Sequence, residues 1–326
     1  MMEPASPATP ASSPARVPLL VLAGPTATGK TGLAIALARR LGGEIVSADS
    51  RQIYRGMDIG TAKPTPEQRA LVPHHLLDVV APDESYTLAQ YQADAQAAIA
   101  AIHSRGLPPS GGRLPLLVGG TGLYIRAVVD NLAIPQVPPN QELRQQLEEE
   151  AAQQGSAALH ARLAALDPLG AARIDPANLR RVIRALEVVL LTGQPFSAQQ
   201  GARPSPYRPL FLGLHGPREV LYARADQRVD AMLASGLVEE VQRLIAAGYD
   251  WHLPSMSSLG YQEIGSSLRG EMTLEAAVER LKFNTHHYIR RQLTWFHAEQ
   301  RIHWLDCTAD DLEHRALALV EKWLAE

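Results

Sequence analysis

The chain has 326 residues, 46% hydrophobic and 20% charged, enough apolar material for a sizeable core in one or two domains. Its formal net charge of −3 excludes a global basic field, so any nucleic-acid contact has to come from a local patch. The single cysteine, Cys307, excludes an intrachain disulfide and a cysteine-built zinc site and fits a reducing cytoplasm; no run of about 18 apolar residues is present to span a membrane.

Residues 1–16, mostly Ala, Pro and Ser, lack the continuous apolar stretch of a signal peptide and read as a disordered tail. Val17–Ala23 is an apolar run closed by Gly24 and Pro25, the pattern of a buried parallel strand. Helical spacing follows over 32–41, then strands are predicted at 44–48, ending in Asp49, and at 74–80. Residues 87–104 form an Ala-rich helix with Thr87 as its N-cap, and the Pro/Gly stretch 106–112 reads as a surface loop. A fourth strand, 114–118, is closed by Gly119, Gly120 and Gly122. No strand candidate occurs between 140 and 193, where Leu179, Val182, Ile183, Leu186 and Leu190 repeat at helical spacing and Arg180, Arg181 and Arg184 occupy a face of their own. A late strand is expected at 211–214, and helices at 226–247 and 273–301. The alternation predicts an α/β fold: a P-loop NTPase-like parallel sheet flanked by helices, made of 17–134 and 205–326, with an inserted all-helical domain at 135–204.

Gly24-Pro25-Thr26-Ala27-Thr28-Gly29-Lys30-Thr31 matches G-x-x-x-x-G-K-T between a strand and a helix, the context that motif requires. Its glycines let backbone amides converge on a phosphate, the helix N-terminus adds its dipole, Lys30 adds a charge, and the Thr31 hydroxyl can ligate Mg²⁺. The motif predicts a bound polyphosphate without saying which one. An ATPase needs a further acidic residue at a strand end. Strand 114–118 runs into Gly119-Gly120-Thr121 without a carboxylate, leaving Asp49 and Asp78. Asp49, after the second strand, can face the cradle; Asp78, inside an apolar run, reads as structural.

Eight ordered blocks then resemble the tRNA dimethylallyltransferase family over residues 18–305. They are the phosphate loop, Asp49-Ser50-Arg51-Gln52-Ile53-Tyr54, Gly60-Thr61-Ala62-Lys63-Pro64 and His74-His75-Leu76-Leu77-Asp78. The series continues with Gly119-Gly120-Thr121-Gly122-Leu123-Tyr124 and Arg181-Val182-Ile183-Arg184-Ala185-Leu186-Glu187. It ends with Ser258-Leu259-Gly260-Tyr261-Gln262-Glu263 and Arg290-Arg291-Gln292-Leu293-Thr294-Trp295-Phe296. The resemblance is to bacterial members, without a zinc-finger extension after the last block.

That resemblance implies a cytoplasmic, monomeric enzyme that alkylates an adenine of the tRNA anticodon stem-loop with dimethylallyl diphosphate and Mg²⁺. It implies Asp49 as general base, Thr26 and Arg224 near the reacting centre, and the P-loop as the grip on departing diphosphate. Expected tRNA contacts are Asp49, Ser50, Arg51, Gln52, Thr121, Arg144, the stretch Arg180, Arg181, Val182, Ile183, Arg184, and the stretch Ser257, Ser258, Leu259, Gly260, Tyr261, Gln262. Residues 280–301 mix Arg280, Lys282, Arg290, Arg291 and Arg301 with Phe283, Tyr288, Trp295 and Phe296. The helical recurrence of Leu281, Tyr288, Gln292 and Trp295 places those aromatics mostly in the core, with the arginines facing RNA or diphosphate. The pairs His74/His75 and His286/His287 diverge too much to share a metal. Three alternatives stay open on sequence: an adenylate isopentenyltransferase acting on free nucleotide, a P-loop kinase of a small metabolite, and an RNA-binding module with a vestigial P-loop.

Overall fold

The computed structural model describes residues 16–106 and 113–326; the predicted tail, apart from Arg16, and nearly all of the predicted 106–112 loop lie outside the described residues. β1 (Val17–Ala23) leads into α1 (Lys30–Leu41), which stops where Gly42 turns left-handed at φ 62°. β2 (Gly43–Ser47), α2 (Pro66–Leu71) and β3 (His74–His75) follow. α3 (Leu88–His103) starts at a Thr87–Gln90 capping box, so Thr87 is its N-cap as predicted. β4 (Leu114–Gly119) and α4 (Gly122–Val129) complete the first half of the sheet domain.

β1 to β4 are joined in one sheet by β7 (Tyr207–His215) and β8 (Ile302–Asp306), in the order β3-β2-β4-β1-β7-β8, with every pairing parallel. Leu20 and Leu22 of β1 enter one core with α1, while Leu19 and Val21 enter the other with Tyr91, Ile99 and Val128. Burial on both faces is why β1 reads as an unbroken apolar run. All six strands point the same way, so Gly24, Asp49 and Gly120 emerge at one edge.

The helical region hangs on a two-residue antiparallel pairing of β5 (Leu132–Ala133) with β6 (Gly201–Ala202), which brings its entry and exit together. α5 (Gln141–Gln154), α6 (Ser156–Leu166), α7 (Pro168–Ala171) and α8 (Leu179–Thr192) surround a separate core of Leu147, Leu159, Leu163, Val182 and Leu186. α9 (Arg218–Ala234), α10 (Leu237–Ala246), α11 (Tyr261–Leu268), α12 (Leu274–His297) and α13 (Leu312–Ala325) finish the chain. Among the described residues no helix is long and apolar enough to cross a membrane.

Three elements differ from expectation. β3 stops at His75 rather than at residue 80, because Leu76 (φ 61°) and Asp78 (φ 57°) are left-handed and Asp78 is pinned by Lys63 at 2.6 Å and Arg69 at 2.7 Å. The expected 226–247 helix is split into α9 and α10 by Gly236 at φ 96°. β8 carries no continuous apolar run: it is an edge strand with His303 exposed and Trp304 and Asp306 half-buried, and the sequence does not announce it.

Candidate active site

A cavity of about 680 Å³ opens at the carboxyl edge of the sheet. Thr26, Ala27, Gly29, Lys30 and Thr31 form one end of it, while Gly24, Pro25 and Thr28 build the loop from behind. Only glycine fits position 24: its φ is 140°, and a Cβ would lie 2.6 Å from the Leu214 carbonyl oxygen. The Thr28 hydroxyl and Lys30 Nζ both donate to the Pro25 carbonyl, at 2.8 and 2.7 Å. Burial, helped by the Arg228 charge and opposed by Asp49, lowers the Lys30 pKa to about 7.

Asp49 faces the same cavity from the turn after β2. Its Oδ1 accepts from the Arg51 backbone N–H at 2.9 Å. Burial raises its pKa, against the Arg51 amide and the Lys30 charge. Thr121 holds this turn from the neighbouring loop: its N–H donates to the Ala48 carbonyl, and its Oγ1 accepts from the Ser50 N–H, both at 3.1 Å. A side chain at Gly119 would strike Ala48 within 2.1 Å, so glycine permits the approach of the two loops. The Gln52 amide is occupied: Nε2 donates to the Thr61 and Ala62 carbonyls at 3.2 Å, and Oε1 accepts from Ser47 at 3.3 Å. Arg51 reaches the Pro254 carbonyl at 2.7 Å, tying the turn to the segment before α11.

Several expected residues lie elsewhere. Arg224 is outside the cavity lining and points toward Cys307, with Nη1 3.4 Å from Sγ; Arg228, one helical turn on, lines the cavity and reaches Thr26 Oγ1 at 3.3 Å. Val182 and Ile183 are buried in the helical core, because the apolar stripe of α8 turns inward. Tyr261 is fully buried and donates to Glu240 at 2.6 Å, leaving Ser257, Leu259 and Gln262 as the accessible members of its block. Ser258 does line the cavity, with its hydroxyl spent on the Ser255 carbonyl.

The predicted arginine face divides. Arg144 makes a bidentate pair with buried Glu187 at 2.8 Å on both branches, and Arg184 joins it while donating to the Val137 carbonyl at 2.9 Å. Burial alone would raise the Glu187 pKa, but bonds from Arg144, the Asn140 amide and Arg184 hold it below the usual range. Only Arg180 and Arg181 stay exposed. The aromatics of α12 also depart from expectation: Phe296 is buried and Tyr288 lines the cavity, but Phe283 and Trp295 are exposed. Over 24 residues α12 passes from the α9–α11 cluster to the sheet, so no single stripe stays buried.

Among the cavity residues with no role assigned from sequence are Arg228, Asn284 and Gln292. Gln292 carries a readable signal, because a glutamine on an otherwise apolar helical stripe points to a satisfied buried amide. His75 pairs with Glu44 and His286 with Asp226, both at 2.8 Å, and among the described residues no group of three or more His, Cys, Asp or Glu can hold a metal.

A parallel sheet whose phosphate loop shares one cavity with a half-buried carboxylate defines an enzyme of the P-loop class. The family model described as IPP transferase matches residues 52–299, and the isopentenyl transferase model matches 17–73. A tRNA dimethylallyltransferase from a Roseiflexus species is 52% identical over 308 residues, spanning 94% of this chain and 99% of that one. Its counterpart from Chloroflexus aggregans is 56% identical over 278 residues, 85% and 92% of the two chains. Among solved structures, the full-length tRNA isopentenylpyrophosphate transferase of Bacillus halodurans superposes with a TM-score of 0.70 at 41% identity, over 94% of this chain and 97% of that one. A eukaryotic dimethylallyltransferase acting on tRNA gives 0.79 at 28% identity, over 95% and 80%. The chain belongs to the IPP transferase family and is a prenyl-transferring enzyme.

Proposed function

We propose that the chain transfers the dimethylallyl group of dimethylallyl diphosphate to the exocyclic N6 amine of adenine 37, next to the anticodon, in tRNAs reading codons that begin with U. The supporting observation is the single cavity that has the Lys30 loop at one end and the Asp49 carboxylate facing it. The adenine amine attacks the allylic carbon, the C–O bond breaks, and its electron pair leaves with diphosphate. Asp49 takes the amine proton, and burial favours this by making its carboxylate more basic. Lys30 and the loop amides face the charge that gathers on the leaving group. Arg228, from α9, is better placed than Arg224 to follow that charge.

Mg²⁺ fits the residues present. Thr31, in the first turn of α1, lines the cavity, and one protein hydroxyl is enough for an ion that otherwise keeps phosphate oxygens and waters. Bound there, the ion would supply further charge to the diphosphate oxygens.

The tRNA side of this reading uses the Asp49–Gln52 turn, Thr121, the exposed Ser257 and Gln262, Arg180 and Arg181 on α8, and Arg290 and Arg291 on α12. An adenine stacked in an anticodon loop has to be extruded to reach Asp49. The enzyme works as a monomer in the cytoplasm, where its RNA substrate is found. Incubation with dimethylallyl diphosphate, Mg²⁺ and unmodified tRNA, followed by nucleoside mass analysis, tests the proposal. The expected product is a prenylated adenosine beside the anticodon. Equal prenylation of free adenylate, or transfer of phosphate from ATP to a small acceptor, would replace it with one of the alternatives.

A further inference from the structure

α12 carries one buried side chain that joins the phosphate loop to the acceptor turn. Gln292 is 6% exposed. Its Oε1 accepts from the Thr26 backbone N–H at 2.9 Å, and its Nε2 donates to the Gly120 carbonyl at 2.9 Å. Both functions of the amide are thus spent on two loops that follow adjacent strands, β1 and β4. The ladder between those strands ends at Ala23↔Gly119, so beyond that edge no strand pairing sets how far apart the loops stand. Gln292 takes over where the ladder stops. The fit is close: a Cβ at Gly120 would lie 2.3 Å from the Gln292 Nε2.

From Gly120 the contacts continue without a gap. Thr121 bonds to Ala48 and Ser50, the residues on either side of Asp49, at 3.1 Å each. The path Thr26–Gln292–Gly120–Thr121–Ser50 therefore links the loop that grips the leaving group to the turn that carries the base. Gln292 also uses up the Thr26 N–H, so phosphate has to be held by the later amides of the loop and by Lys30.

We propose that Gln292 is a positioning residue that fixes the separation between the phosphate loop and Asp49, and so governs the rate of prenyl transfer rather than the binding of either substrate. The inference rests on the function proposed above. In a displacement at carbon, nucleophile, carbon and leaving oxygen have to align, and a misplacement of about 1 Å can cost on the order of 10²-fold in rate. Diphosphate affinity, set by the loop amides and Lys30, and RNA affinity, spread over the acceptor turn, the segment before α11 and the arginines of α8 and α12, do not require that alignment.

The test compares wild type with Gln292→Met, Gln292→Glu, Thr121→Val and the Gln292→Met/Thr121→Val double variant. Turnover, both KM values, diphosphate binding by calorimetry and melting temperature are measured for each. Gln292→Met is expected to lower kcat by about 10- to 100-fold, with both KM values and diphosphate affinity within about threefold of wild type. Gln292→Glu keeps the acceptor for Thr26 but loses the donor to Gly120, and is expected to lose part of that rate with the same split. The double variant is expected to be no slower than about twofold below the worse single one, because both residues lie on one path. Wild-type kcat in Gln292→Met, loss of diphosphate affinity in step with kcat, or full additivity would each overturn the proposal. If Gln292→Met does not fold, the same kcat-against-KM split in Gln292→Glu decides. Failure of the wild-type enzyme to prenylate RNA would sink the functional reading, whereas wild-type transfer unaffected at Gln292 sinks only this inference.

Discussion

The phosphate end of the cavity comes from one contiguous stretch, residues 24–31, shaped by backbone conformation and by contacts within five residues. The acceptor end is gathered from the turn after β2, the loop after β4, the segment before α11 and one face of α12. Local torsions and short-range bonds hold most of the first end, which is tied to distant residues chiefly at Thr26, by Gln292 and Arg228. Long-range side-chain bonds hold the second, so its geometry depends on packing far from the chemistry. Binding of the donor and the rate of transfer are therefore expected to respond to different sets of residues.

The largest expected break in this comparison is at Asp49. Asp49→Asn keeps the shape of the turn but removes the base. It is expected to lower kcat by about 10²- to 10⁴-fold while calorimetric affinities for diphosphate and the anticodon stem-loop change little. A variant that still turns over near the wild-type rate would take Asp49 out of the mechanism. The raised pKa of Asp49 gives a companion expectation: the carboxyl is protonated at low pH, so kcat falls as pH drops through its value.

The next effect lies at the phosphate end. In the free enzyme Lys30 titrates near pH 7, chiefly because burial disfavours its charge. A bound diphosphate favours the charged amine and raises that pKa. Affinity is then greatest below pH about 7 and weakens as pH rises from there to the bound-state pKa, with uptake of up to one proton across that window. Calorimetry in buffers of different ionisation enthalpy measures the uptake. Lys30→Arg, whose charge does not titrate, is expected to abolish it; uptake unchanged in that variant would assign the proton to another group.

How far the site can be read from sequence follows the same division. The phosphate loop is legible because a short-range pattern, strand then Gly-rich turn then helix, encodes it. Asp49 is legible because a strand that ends in a carboxylate places it at the sheet edge. Gln292 is legible only as an amide on an apolar stripe; its role is not, since its partners lie 266 and 172 residues away and only the three-dimensional path gives the amide a meaning. Sequence does not favour Arg228 over Arg224, because both lie on α9 four residues apart and only the tertiary placement shows which one reaches Thr26. The same limit produces the overlong third strand, where left-handed Leu76 and Asp78 end an apolar run that looks continuous, and hides β8, whose edge position leaves its pattern mixed.

The smallest effects belong to α8, where charge pattern alone suggests one arginine face. Glu187 is fully buried and claims Arg144 and Arg184, while Arg180 and Arg181 stay in solvent. The two pairs should therefore fail differently. Arg180→Ala with Arg181→Ala is expected to weaken stem-loop binding modestly, reducing the slope of log K against log salt by about one for each phosphate left without its arginine, with an unchanged melting temperature. Arg144→Ala leaves a buried carboxylate with one cation fewer, so it is expected to lower the melting temperature while the salt slope holds. A salt slope that moves with Arg144 and not with Arg180 and Arg181 would mean that RNA contacts the Glu187 cluster, and that the exposed pair is only a solvated helix face.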